Sequence, residues 1–131
     1  MKLKNDIFVK DGAYQSLVEF CGKDVPLDLG WELGKAIDKL IPNQALYEAE
    51  RTKIITKYGK KNKEGGFGLV GPKGEGYDKE AWEKGIEELN ALNVIEEEYD
   101  FNKKTVAMDE VKKLKFPPLK ARLLKHFIDI K

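Results

Sequence analysis

With 131 residues, 24 Lys and Arg against 23 Asp and Glu, and 41% hydrophobic residues, the sequence has the composition of one highly charged globular domain spanning residues 1–131. A formal net charge of +1 excludes an acidic mimic of DNA and a uniformly basic nucleic-acid binder, and leaves partner choice to shape. The single cysteine, Cys21, has no internal disulfide partner, and its neighbours Leu17, Val18 and Phe20 predict a buried thiol in a reducing compartment.

The opening "MKLKNDIFVKD" lacks the apolar core and cleavage site of a signal peptide, and no later apolar run approaches the ~18 residues of a membrane span. Its Leu3, Ile7 and Val9 alternate with Phe8 on the other side, which predicts a short strand ended by Asp11-Gly12, with Asp11 capping the helix that follows. In that helix Tyr14, Leu17, Val18 and Cys21 fall on one stripe, and Gly22 and Pro26 stop it.

The next segment carries Leu29, Leu33, Ile37, Leu40 and Ile41 at helical spacing and resumes after Pro42 with Tyr47, Ile54, Ile55 and Tyr58. Pro42 lacks a backbone donor and crowds the preceding turn, so a kink or break is expected there, with Asn43 as a new cap and Gly59 closing the segment. Further on, Asp78 is placed to cap a helix whose apolar face is Trp82, Ile86 and Leu89, ending at Asn90 or Asn93. "VIEEEYDF", the turn "NKK" and "TVAM" read as a β-hairpin, and Pro117-Pro118 opens a last helix carrying Leu119, Leu123, Leu124 and Phe127. The fold class is α+β, dominated by four to five helices with a small antiparallel sheet or hairpin.

Half of the chain's 12 glycines lie in "KKNKEGGFGLVGPKGEGYDKE", where Gly66, Gly68 and Gly71 form a literal G-x-G-x-x-G. A dinucleotide loop needs a buried strand before it and a helix opening at its end, so that backbone amides reach the pyrophosphate. Here "YGKKNKE" precedes and "PKGEGYD" follows, and no Gly-Lys-Ser/Thr completes a Walker loop. Residues 60–77 are therefore expected to be a connector or an extended hairpin, with "FGLV" as a short strand returning through "GEGYD". A connector of this length between helices is a natural place for a binding surface.

Other chemistry has little to build on. Ser16, Cys21 and His126 are the only residues of their kinds, and a Cys21–His126 dyad competes with a core cysteine and a surface histidine. Glu96, Glu97, Glu98 and Asp100 form the densest acidic group, but strand alternation sends neighbours to opposite faces, away from a shared cation. Lys57, Lys60, Lys61 and Lys63 beside Tyr58 make a candidate basic patch with an aromatic neighbour, and the C-terminal segment has a basic tilt; no nucleic-acid reading motif accompanies them. No catalytic, cofactor-binding or metal-binding residue is assigned, and no cofactor is expected.

Five stretches, "LKND", "LGWELGKAIDKL", "YEAERTKIITKYGKKNKEGG", "GIEELNALNVIEEEYDF" and "FPPLKARLLKHFID", together resemble a family of small proteins of unknown function encoded by tailed bacteriophages and prophages. The resemblance covers most of the chain in order and consists of helix and turn patterns. This chain departs from it at Pro42 and in the longer glycine-rich insertion. It implies a phage origin and an α+β fold, and it transfers no catalytic residue.

The expected function is that of a non-enzymatic phage protein acting through protein–protein contacts, as a minor virion component or a head or tail assembly factor. The alternative is an early host-takeover or anti-defence protein that binds a host enzyme, a nucleic acid or a nucleotide signal. Trp31, Tyr47, Phe67, Leu69 and Tyr77 are the candidate interface residues. The partner is expected to be a phage structural protein, a host protein or a second copy, with no membrane, in the host bacterial cytoplasm or packaged from it into the virion.

Overall fold

A computed structural model describes all residues, Met1–Lys131. It contains five α-helices and six very short strands: β1 (Lys2–Lys4), α1 (Ala13–Cys21), α2 (Leu27–Tyr58), β2 (Lys60–Lys61), β3 (Phe67–Gly68), α3 (Lys79–Asn93), β4 (Glu96–Glu98), β5 (Lys104–Val106), α4 (Met108–Lys113), α5 (Pro118–Leu123) and β6 (Ile128–Ile130). The helix-dominated α+β class is thus the observed one. The chain divides into two compact units, one of Met1–Gln44 with Glu96–Lys131 and the other of Ala45–Ile95.

In the first unit β1 pairs antiparallel with β4, Leu3 opposite Glu97 and Lys2 opposite Glu98. The N-terminal ammonium closes the pair by donating to Glu98 Oε1 and to the Tyr99 carbonyl, both at 3.0 Å. The strand does not continue to Val9, because Asn5–Phe8 turn into a 3-10 helix that buries both Ile7 and Phe8. An extended strand would have sent those two neighbours to opposite faces.

Asp11 does not cap α1. It sits at φ 59°, its own N–H donates to Gln15 Oε1, and Gly12 occupies the cap position without a side-chain bond. The buried face of α1 is Ala13, Ser16, Leu17 and Phe20, so the stripe is rotated from the expected one and leaves Val18 exposed. Phe20, larger than Val18 and wholly apolar, takes the inner position and meets Phe116 edge to face at 5.4 Å between centroids.

The hairpin expected from "VIEEEYDF" to "TVAM" does not form. β4 goes to β1, and β5 pairs in parallel with β6, Lys104 opposite Ile128 and Val106 opposite Ile130. Parallel strands require a crossover, which α4 and α5 supply between residues 107 and 127. The last helix is therefore shorter than expected: after a 3-10 turn at Leu124–His126 the chain becomes β6, and Leu119 points to solvent while Ala121, Leu124 and Phe127 are buried. Phe20, Leu17, Leu33, Leu40, Leu124, Phe127 and Ile128 are the most completely buried side chains, and all belong to this unit.

α2 runs through Pro42 as one helix. Pro42 and Asp38 are both exposed, so the Asp38 carbonyl that loses its helical donor lies on a solvent-accessible face and no break is forced. Asn43 does not cap; its Nδ2 donates to the Tyr99 hydroxyl at 3.0 Å. Ile41, expected on the inner stripe, is exposed.

The second unit is built from the end of α2, the β2–β3 hairpin and α3. Asp78 caps α3 as expected, its carboxylate accepting from the N–H groups of Glu80 and Ala81 at 3.1 and 3.2 Å. Tyr47 donates from its hydroxyl to Asn93 Oδ1 at 2.7 Å, tying α2 to the last turn of α3. No helix is long and apolar enough to cross a membrane.

Candidate functional site

The glycine-rich stretch is a hairpin held by its own side chains. Lys60 pairs with Gly68 and Lys61 with Phe67, so "FG" returns onto "KK" and not through "GEGYD". Asn62 organises the turn, its Oδ1 accepting from the N–H groups of Glu64 and Gly66 at 3.0 Å each, with Gly65 at φ 87°. At Gly59, a β-carbon would lie 2.5 Å from the Gly68 carbonyl oxygen, so the helix end needs glycine for close approach of the hairpin. The run then leaves along α3: a β-carbon on Gly71 would touch the Trp82 ring at 3.6 Å, and one on Gly85 would lie 2.9 Å from Leu69. Gly59 thus admits the hairpin backbone, Gly85 makes room for the Leu69 side chain and Gly71 is in ordinary contact with Trp82, and none stands at the N-terminus of a helix where a phosphate would be held.

The five candidate interface residues separate by environment. Tyr47 is buried and bonded to Asn93, and Leu69 is half-buried against Gly85 and Tyr58. Trp31, Phe67 and Tyr77 face solvent, with 67%, 49% and 36% of their surfaces exposed. Trp31 has an exposed neighbour outside the five candidates: Leu27, one turn earlier on α2, is 86% exposed.

Of the basic patch, Lys60, Lys61 and Lys63 line one concavity of about 470 Å³ with Glu75 as its only acidic wall. Lys57 lies apart, its ammonium 5.0 Å from the centre of the Tyr58 ring, and a side-chain hydrogen bond with Tyr58, followed by the charge of Glu88, favours its charged form.

Cys21 is half-buried, and burial pushes its thiol up to about 11, the reverse of the depressed value an activated thiolate needs. Burial, helped by Lys125, lowers the His126 imidazole from its ordinary value and so favours the neutral ring. No group of three or more His, Cys, Asp or Glu side chains is gathered to hold a metal ion.

Two depressions in the first unit were not visible in the sequence. One, of about 300 Å³, sets Lys35, Lys39 and Lys104 around the half-buried Phe101. Each ammonium already has an acidic partner: Lys35 and Lys104 lie 3.5 and 3.7 Å from Glu32, and Lys39 bonds the Asp100 carbonyl with the Asp100 carboxylate at 3.9 Å. The other, of about 290 Å³, is floored by Val111, Phe116 and Ala121 and rimmed by Lys112 and Arg122. Only the pairing of β5 with β6 brings Lys104 to the first and Ile130 to the second, and that pairing leaves no local signal.

Compared with protein-family models, with curated proteins and with solved structures, the chain matches none.

Proposed function

We propose that the chain is a phage-encoded protein that works by contact with other proteins, as a minor virion component or a head or tail assembly factor. The observation that carries this reading is the Leu27–Trp31 pair on α2: two large apolar side chains one turn apart, more than half exposed, on a long helix. Exposed tryptophans are the side chains that anchor protein interfaces, because they bury a large area with little rotamer entropy lost. Phe67, beside the turn of the hairpin, offers a second exposed aromatic. The phage origin rests on the sequence resemblance alone. Quantitative mass spectrometry of purified particles from the encoding phage, set against the infected-cell lysate, tests the virion part. Presence in particles at a stoichiometry matching a ring or tail symmetry supports it; abundance in lysate with absence from particles removes it.

A second reading, an early anti-defence protein that captures an anionic nucleotide signal, is favoured by the depression where Lys35, Lys39 and Lys104 surround Phe101. A planar base stacking on the ring with phosphates displacing Glu32 and Asp100 from the lysines suits that arrangement. Binding of a panel of cyclic nucleotides, lost in Lys39→Glu, would support it.

A further inference from the structure

The groove between α4 and α5, which lies wholly in the first unit, is built by one short pattern used twice. Met108, Val111 and Lys112 on α4 share one face of that helix by their spacing, as do Pro118, Ala121 and Arg122 on α5, and all six line the groove. Each helix thus gives it two apolar side chains and one cation. Phe116 and Ile130 complete the lining, and no Asp or Glu belongs to it. The ion pairs of the chain all lie elsewhere, so neither Lys112 nor Arg122 has a carboxylate partner of its own. The surrounding segment has the same character: residues 108–125 hold six Lys and Arg against two Asp and Glu, in a chain whose net charge is only +1.

An apolar floor between two unpartnered cations is complementary to an apolar group flanked by negative charge. The depth of the groove says how that group arrives. Val111, Phe116 and Ala121 are buried at the floor, but Met108 on the wall is nearly half exposed, and the volume is about 290 Å³. A free small ligand is held where a pocket covers most of its surface, whereas a side chain projecting from a longer chain needs room only for itself. A flat lipid surface would leave the concavity unfilled. We propose that this groove receives an acidic segment of another protein, with one large apolar side chain on the floor and carboxylates on either side of it, at Lys112 and Arg122. The proposal rests on the reading that the chain acts by protein contact and gives one partner its chemistry, on a surface that does not include Leu27 or Trp31.

Selection of a random peptide library on the purified full chain, with the affinity of the recovered peptides measured by fluorescence anisotropy, tests it. The recovered peptides are expected to carry a large apolar residue flanked by Asp or Glu, and to bind more weakly as salt is raised. Arg122→Glu and Lys112→Glu, both at exposed positions, should each weaken binding at least about tenfold with an unchanged far-ultraviolet circular dichroism spectrum. If one of the two fails to fold, the other is read in its place. Met108→Glu, on the apolar wall, should weaken binding as well, and Trp31→Glu should leave it unchanged. Absence of the chain from virions with peptide binding intact would remove the assembly role and keep the groove, so the two failures are distinct. Recovery of no binder, of peptides without acidic residues, or of peptides indifferent to both charge reversals would overturn the proposal. So would self-association of the chain, or its flotation with phosphatidylglycerol vesicles, that Arg122→Glu abolishes, because the groove would then belong to a second copy or to a membrane.

Discussion

Gly85 in the middle of α3 lies directly under Leu69: a β-carbon added there would sit 2.9 Å from Leu69 Cδ2 and 3.2 Å from the Tyr58 β-carbon. Alanine is the better helix former by about 1 kcal/mol, yet at this position the helix is fixed by what it touches. Gly85→Ala is therefore expected to lower stability by roughly 1–2 kcal/mol in chemical denaturation, because overpacking outweighs propensity. Truncating the neighbour should relieve this, so that Gly85→Ala is neutral or stabilising in a Leu69→Ala background. Equal losses in both backgrounds would mean that Leu69 is not the obstacle.

Asp78 is bonded to two N–H groups of the first turn of α3. Asp78→Ala should cost about 1 kcal/mol, and Asp78→Asn only a fraction of that, since asparagine caps comparably. Thermal denaturation of the two variants side by side checks the ranking.

Pro42 interrupts a helix without breaking it. Pro42→Ala restores a donor to the Asp38 carbonyl and is expected to raise stability by about 1–2 kcal/mol, less than the usual proline penalty of about 3 kcal/mol because that face of the helix is open to solvent. A loss of stability would show that the proline bends α2 in a way the surrounding packing needs.

These positions show what could be read from the residues. The α3 cap was legible because Asp78, the helix start and the first-turn amides are neighbours in the chain. The strand partners were not: strands of two or three residues carry almost no alternation, and β1–β4 and β5–β6 join residues far apart in sequence. In α1 two adjacent stripes have equally good helical spacing, and the observed one is the one whose Phe20 meets Phe116, a residue far along the chain. Among candidate contact residues, Trp31 and Tyr47 look alike in sequence, and their opposite fates depend on which side of α2 each occupies.

Cys21 supplies a pH prediction. Its thiol is raised by burial from 9.0 to about 11, so the protonated form is the one the fold favours. A group whose acid form is favoured contributes stability that is full below the unfolded value and is lost as pH rises through the folded one. Stability should accordingly decline between about pH 9 and 11, and Cys21→Ser should weaken that decline. Alkylation of the native thiol by iodoacetamide should be slow at pH 7 and rise about tenfold per pH unit until near pH 11; a plateau below pH 9 would contradict the assignment.

The claim that the chain acts by protein contact is met most directly by photo-crosslinking in infected cells, with a benzophenone side chain placed at position 31 and, as a control, at the exposed Lys53 on the same helix. The expected result is adducts with other proteins from position 31, at yields well above those from position 53. Equal yields from the two positions, or no protein adduct from position 31, would contradict it.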